Sequence, residues 1–131
     1  MRDYYRDDGY PFIEAEARVA VTGLVGDPAR GGVWVCEIDG AVAAYLAVTL
    51  GYSLEYRGPD AFVDEVVVAA AHRGRGLGRE ALAVAEAHCR RAGVRALHLE
   101  VEPAKDRALA LYRTSGFTDH GRRLMTKRLD D

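Results

Sequence analysis

The chain has 131 residues and a formal net charge of −2, with 18 Lys and Arg against 20 Asp and Glu. Hydrophobic residues make up 49% and charged residues 29%, which is typical of one globular domain, here residues 1–131. The balanced charge argues against a nucleic-acid binder, and no apolar run approaches the ~20 residues that cross a membrane. The N-terminus lacks a signal-peptide core and the two cysteines match no metal spacing, so we expect a cytoplasmic protein without a bound metal.

The N-terminal quarter of the chain is predicted to be helical. Residues 1–8 have the pattern of a helix end, and Pro11 suits the first turn of a second helix. Apolar residues then recur at helical spacing, and the Gly-Asp-Pro at 26–28 ends that helix.

Two β-rich runs, 31–38 and 41–50, follow on either side of Asp39-Gly40. An Asp-Gly pair favours a two-residue hairpin, because both turn positions need a positive φ. Residues 51–60 are predicted to form an irregular, partly extended connection. Residues 61–69 are the next predicted strand, and their consecutive valines are typical of a strand that is buried on both faces.

The second half of the chain alternates between helical and extended patterns. It contains a helix at 76–92, a strand at 94–102, a helix at 105–115 and a last strand at 122–129. This alternation predicts an α/β fold in which helices cover a mixed sheet.

The sequence HRGRGLGREAL, residues 72–82, joins a predicted strand to a predicted helix. The first amides of a helix have no internal acceptor, and glycines let a phosphate approach the backbone, so the turn favours an anion. Arg73, Arg75 and Arg79 add positive charge. A nucleotide P-loop needs Gly-Lys-Ser or Gly-Lys-Thr, and a dinucleotide site needs G-x-G-x-x-G; neither is present. A turn of solvated arginines without a ligand is the remaining alternative.

Two segments resemble motifs of the GNAT superfamily of acyl-CoA N-acyltransferases. Arg73-Gly74-Arg75-Gly76-Leu77-Gly78 resembles its R/Q-x-x-G-x-G/A signature, and ALALYRTSGF at 108–117 resembles A-x-x-L-Y-x-x-x-G-F. The resemblance covers residues 10–129. It implies a GNAT-like mixed sheet and acetyl-CoA as co-substrate. It further implies that the turn binds the coenzyme A pyrophosphate through Arg73, Gly74, Arg75, Gly76, Leu77, Gly78 and Arg79.

The resemblance also assigns roles around the thioester. The pantetheine arm would pair with the strand end formed by Val66, Val67 and Val68, where a backbone N–H would polarise the thioester carbonyl. Tyr112 resembles the general acid of the family, whose hydroxyl faces the sulfur. The alternative for Tyr112 is a ring that only packs between helix and sheet.

Asp64 and Glu65 are the candidates for the base that deprotonates the amine. Adjacent strand residues face opposite sides, so we expect only one of them to face the acceptor pocket. The resemblance implies such a role for Asp64, because some polyamine-acetylating relatives carry an acidic base at the corresponding position of this strand. Two ordinary acids at a sheet edge, with a water chain removing the proton, are the alternative.

The chain departs from the family pattern at two places. Lys105 stands where many relatives have asparagine, and the lysine could contact a phosphate instead. Relatives usually begin with a strand that precedes a longer first helix. Here the N-terminal segment MRDYYRDDGYPF is expected to correspond to the middle of that helix, so that the first strand is missing. The uncovered sheet edge that would result predicts a homodimer.

The acceptor pocket is expected to combine aromatic and acidic residues, which suit a cationic amine. We expect a primary amine on a small molecule, a polyamine, a peptide or a lysine, attacked directly because no nucleophile constellation is readable. The rival hypotheses are a CoA-binding regulatory or structural module and a scaffold for another phosphate ligand. The candidate pocket residues are Tyr4, Tyr5, Asp8, Tyr10, Tyr52, Glu55 and Tyr56.

Overall fold

Four strands form one mixed sheet in a computed structural model that describes residues 1–130. The strands are β1 (Gly31–Ile38), β2 (Ala41–Ser53), β3 (Gly58–Val68) and β4 (Ala96–His98). They lie in the order β1-β2-β3-β4, with the first two pairings antiparallel and the pairing of β3 with β4 parallel. The predicted fold class, a mixed sheet with flanking helices, is confirmed.

Four α-helices within residues 1–130 accompany the sheet: α1 (Arg2–Asp7), α2 (Glu14–Val25), α3 (Leu77–Arg91) and α4 (Asp106–Thr114). Helix α2 begins three residues after Pro11, because Ile13 is still extended, with φ −111° and ψ 109°. Glu14 and Glu16 then place negative charge in the first turn, where the helix dipole favours it. No helix within residues 1–130 is both long and apolar enough to cross a membrane.

The two hairpins of the sheet turn at residues 39–40 and 54–57. Asp39 and Gly40 have φ values of 52° and 78°, which confirms the predicted Asp-Gly turn. The irregular, partly extended connection predicted for residues 51–60 is confined to residues 54–57. Strand β2 continues to Ser53 and β3 begins at Gly58, because backbone pairing extends past the apolar stretch into the polar residues.

The core lies between α3 and one face of the sheet. Small residues on α3 let the helix approach the strands closely, and Ala85 is fully buried. This packing sets the first turn of α3 beside the end of β3. The buried cluster comprises Leu46, Val48, Ala61, Val63, Leu82, Ala85 and Cys89.

The last predicted strand, residues 122–129, is also wrong. Residues 117–130 have no regular secondary structure. Leu124 and Met125 are adjacent, which breaks the alternation of a strand, and both side chains are exposed. Arg122 instead forms a two-fold hydrogen bond with Glu55, at 2.8 and 2.9 Å. A strand needs a paired neighbour, and none of the four strands described pairs with this segment.

Candidate active site

The turn between β3 and α3 is exposed and leads into the first amides of α3. Gly76 caps α3 with φ 80°, a left-handed conformation that costs other residues about 1–2 kcal/mol. The first helical bond runs from the Glu80 N–H to the Gly76 carbonyl at 3.0 Å, so the amides of residues 77–79 have no acceptor within the helix. Residues 73–76 are exposed. The turn is therefore open to an anionic ligand.

The three arginines of the turn have different surroundings. Arg73 donates from Nε to the Val68 carbonyl at 3.2 Å, which ties the turn to the end of β3. Arg79 donates to Thr114 Oγ1 at 3.0 Å and so joins α3 to α4. Arg75 is exposed and, within residues 1–130, its guanidinium takes part in no hydrogen bond. Arg75 is thus the arginine of this turn with the most freedom to meet a ligand.

Gly78 allows α3, α4 and β3 to meet closely. A β-carbon at this position would lie 3.2 Å from Leu111 Cδ2 and 3.9 Å from Val68 Cγ2. Leu111 directly precedes Tyr112 in α4. The glycine-arginine turn and the helix that carries Tyr112 are therefore in contact at the same end of the sheet.

Strands β3 and β4 pair only briefly and then separate. Their register covers residues 60–62 and 96–98, while β3 continues to Val68 and stays paired with β2 on its other side. Along residues 63–68, no described strand occupies the edge that faces away from β2. Free backbone N–H and C=O groups on such an edge can pair with an extended ligand. Val66, Val67 and Val68 lie on this edge, next to the turn.

Tyr112 is half-buried and packs its ring at 6.1 Å from Phe117, edge to face. Burial raises the pKa of the hydroxyl above its usual 10, while the charge of Lys105 opposes that rise. The phenol is therefore protonated at neutral pH, and its hydroxyl is a donor.

The Lys105 ammonium is already paired with the carboxylate of Asp8. The ammonium lies 2.6 Å from Asp8 Oδ2 and 6.0 Å from the centre of the Tyr4 ring. The hydrogen bond to Asp8 is the first cause of the raised pKa of Lys105. The pair fastens α1 to the start of α4, and the contact between Lys105 and a phosphate stays a prediction.

A β-bulge in β3 changes which side of the sheet the two candidate bases, Asp64 and Glu65, face. Ala47 pairs with Glu65 and Val48 pairs with Val63, so Asp64 is an extra residue in β3. The expectation that Asp64 and Glu65 face opposite sides is wrong, because both line one cavity between α2 and the sheet. A bulge sets two successive residues against one partner and thereby breaks the alternation of the strand.

Glu65 is surrounded by tyrosines. The Tyr45 hydroxyl donates to Glu65 Oε2 at 2.9 Å. The pKa of Tyr45 is raised, first by burial and then by the charge of Glu65. The pKa of Tyr5 is also raised, first by its hydrogen bond with Glu65. Sequence reasoning missed Tyr45, whose only signal was a lone hydroxyl-bearing residue within the apolar run AVAAYLAV.

The predicted acceptor residues do not line one common pocket. Tyr5 lines the cavity, and the pKa of Tyr4 is raised, first by burial and then by the charge of Asp8. Tyr10 instead donates to Glu102 at 2.7 Å. Three further residues lie at the other end of β2 or in the turn that follows it, and they line no part of the cavity: Tyr52, Glu55 and Tyr56.

The cavity has a volume of about 450 Å³, which lies within the usual range for small-molecule sites. Asp64, Glu65, Tyr5 and Tyr45 supply polar groups to its lining, and most of the remaining lining is apolar. The arrangement offers hydrogen-bond acceptors and negative charge to a cation in an otherwise apolar space.

Comparisons with known proteins agree with this geometry. Residues 1–117 match the model of the acetyltransferase (GNAT) family. The crystal structure of integron cassette protein HFX_CASS3, from the mobile metagenome of Cole Harbour Salt Marsh, is similar with a TM-score of 0.88 and 32% identity. That alignment covers 98% of this chain and 80% of the other. A search of the curated proteins finds no match to the sequence.

More distant structures share the fold. The aminoglycoside N-acetyltransferase AAC(6')-Iy in complex with CoA has a TM-score of 0.75 and 13% identity, over 87% of each chain. The aminoglycoside 6'-N-acetyltransferase AAC(6')-IG from Acinetobacter haemolyticus has a TM-score of 0.77 and 16% identity. The second alignment covers 93% of this chain and 86% of the other.

Proposed function

The chain belongs to the acetyltransferase (GNAT) family, and we propose that it transfers the acetyl group of acetyl-CoA to a primary amine. One observation carries this proposal. The open glycine-arginine turn, the unpaired edge of β3 and the Tyr112 helix all meet at one end of the sheet. The CoA complex of AAC(6')-Iy, which shares the fold, supports coenzyme A as the ligand of this region.

The amides of residues 77–79 and the guanidinium of Arg75 would hold the pyrophosphate at the start of α3, where the helix dipole adds positive charge. The left-handed backbone at Gly76 leaves this approach clear, since no atom lies within 4 Å of the position that a β-carbon would occupy. The backbone of residues 66–68 would bond to the amides of the pantetheine arm. Bound acetyl-CoA supplies the activated acyl group.

The chain's own residues would then perform three tasks. A backbone N–H of residues 66–68 stabilises the negative charge that forms on the thioester oxygen. Asp64 accepts a proton from the amine as the C–N bond forms. Tyr112 donates to the sulfur as the C–S bond breaks, because a thiolate with a thiol pKa of about 8.5 accepts a hydrogen bond from a phenol.

We assign different roles to the two carboxylates. Glu65 accepts a hydrogen bond from the Tyr45 hydroxyl at 2.9 Å and lines the cavity, so we assign it the role of attracting the ammonium group of the acceptor. Asp64 is exposed at the bulge and has freedom to take the proton.

Substitution of each carboxylate by its amide tests this division. Asp64→Asn should lower kcat about a hundred-fold at neutral pH, the usual contribution of a general base. Glu65→Gln should mainly raise KM for the amine, on the order of tenfold, because one hydrogen-bonded charge contact is lost. Glu37→Gln, at an exposed position of β1, is the control for a lost negative charge. Loss of kcat in Glu65→Gln with a normal Asp64→Asn would assign the base to Glu65.

The activity itself is tested by release of free CoA thiol from acetyl-CoA across a panel of primary amines. We expect release that depends on the acceptor. If CoA binds but no amine promotes thiol release, the chain is a CoA-binding module and the proposed activity is wrong.

Coenzyme A should also stabilise the fold selectively. A ligand at a hundred times its Kd adds about 2.7 kcal/mol to the free energy of unfolding, which raises Tm by roughly 10 °C in a domain of this size. ATP and NAD should leave Tm nearly unchanged, since they lack the pantetheine arm that pairs with β3. A thermal melt with each ligand measures this, and equal shifts with all three would indicate a general phosphate site.

A further inference from the structure

We propose that the acceptor is an amphipathic monoamine, an alkylamine or arylalkylamine, whose apolar tail occupies the cavity between α2 and the sheet. Its amino group would meet Asp64 and Glu65 where β3 bulges. This inference rests on the proposed acetyl transfer for its chemistry, and on the cavity alone for its choice of substrate.

The walls of the cavity favour an apolar tail. Helix α2 and the sheet line it from opposite sides with aliphatic side chains. Several of these remain solvent-exposed, with 57% of Val35 and 52% of Val42 accessible, so a bound tail would remove apolar surface from water. The aliphatic residues that face each other are Ala17, Ala20 and Leu24 on the helix and Val33, Val35 and Val42 on the sheet.

The charges of the cavity favour a single ammonium group. Asp64 and Glu65 are adjacent, and no Lys, Arg or His of residues 1–130 forms a salt bridge with either carboxylate. Tyr45 donates a hydrogen bond to Glu65 and Tyr5 lines the same cavity, but neither side chain brings a positive charge. A cation placed here would be both paired and hydrogen-bonded, as a partly buried charge requires.

The polar lining is too sparse for a polycation. The third carboxylate of the cavity, Glu16, is exposed on the first turn of α2. An aminoglycoside would bring several ammonium and hydroxyl groups against the aliphatic walls, where most would lose water without gaining a partner. The cavity therefore discriminates against such acceptors.

The carboxylate end of the cavity adjoins the reacting end of the sheet. Asp64 and Glu65 directly precede residues 66–68 in β3, the strand end that lies next to the glycine-arginine turn. Tyr45, which donates to Glu65, pairs with Val67 of that strand end. The amino group of the acceptor would thus lie on the side of the cavity nearest the thioester, with its tail directed away under α2.

A homologous series of amines tests this. From butylamine to octylamine, kcat/KM should rise about fourfold per methylene, the gain expected from burying one CH₂. Octylamine and phenylethylamine should exceed spermidine and kanamycin by at least tenfold. A profile that is flat with chain length, or a preference for spermidine or kanamycin, would overturn the inference while leaving the acetyl transfer intact.

A cavity-filling variant supplies the matched control. Ala20→Phe should lower kcat/KM for octylamine about tenfold or more and leave butylamine within about twofold, because the added ring occupies the space of the tail. Ala15→Phe, at an exposed position on the same helix that does not line the cavity, should change neither value. Equal effects of both variants on octylamine would count against the tail site.

Measurements of amine binding, made independently of turnover, distinguish failure of this inference from failure of the proposed acetyl transfer. In the presence of CoA, octylamine should raise Tm more than butylamine, and Ala20→Phe should remove the difference. If no amine is acetylated but this pattern holds, the acetyl transfer is wrong and the amphipathic amine site stands. If amines are acetylated but octylamine and butylamine shift Tm equally, the tail site is wrong.

Discussion

Replacement of Tyr112 by phenylalanine should lower kcat about a hundred-fold, within the range that a general acid contributes. The substitution removes the hydroxyl and keeps the ring that packs against Phe117 at 6.1 Å, so the fold and the affinity for CoA should be unchanged. Burial raises the pKa of this phenol, and a raised pKa keeps the proton bound up to a higher pH. Ionisation of Tyr112 should therefore not lower the wild-type kcat between pH 7 and about 10.

Initial rates of thiol release at saturating acetyl-CoA and amine measure the effect, together with Kd for CoA and Tm. Tyr52→Phe is the matched control, because Tyr52 is 73% exposed and lies at the far end of β2. It should leave all three quantities unchanged. An undiminished kcat in Tyr112→Phe would leave Tyr112 with a packing role alone.

Gly76→Ala should weaken CoA binding at least tenfold. Gly76 has φ 80° at the N-cap of α3, and an alanine in that conformation costs about 1–2 kcal/mol. The turn can relieve this strain by rotating the amides that would hold the pyrophosphate, and each 1.4 kcal/mol lost in binding is a tenfold change in Kd. Titration calorimetry with CoA gives the affinity, and chemical denaturation gives the free energy of unfolding.

The opposite end of the same helix provides the control. Gly93 follows α3 with φ 76°, and at both glycines no atom lies within 4 Å of an added β-carbon. Gly93→Ala should therefore lose a similar free energy of unfolding through backbone strain alone. Only the Gly76 variant should lose affinity for CoA. Equal losses of affinity in both variants would mean that lower stability, and not the turn, accounts for the effect.

Features that depend on a few neighbouring residues were predictable from the sequence. The helix predicted at residues 76–92 is found at Leu77–Arg91, because its capping glycines and apolar periodicity are local properties. The Asp39-Gly40 hairpin was predictable for the same reason, since few residues other than these readily adopt a positive φ. The location of the turn and of Tyr112 in chain order follows from such local signals.

Features that depend on pairing between distant segments were not predictable. Nothing in the sequence of residues 63–68 indicates that Asp64 has no pairing partner in β2. The alternation of side chains along a regular strand therefore predicted the wrong side of the sheet for one of the two carboxylates. Tyr45 belongs to the site only because the pairing of β2 with β3 brings its hydroxyl within hydrogen-bond distance of Glu65. The tail at 122–129 had the composition of a strand but has no neighbour to pair with.

By itself, then, the sequence determined where the chain turns, caps its helices and exposes backbone donors, because these preferences reside in single residues and their immediate neighbours. The tertiary structure alone decided that Asp64 and Glu65 share a cavity, that Lys105 pairs with Asp8, and that β3 parts from β4. Register, bulges and cavities are set by which side chains meet across the sheet. That outcome depends on the packing free energy of the whole fold and not on any one segment.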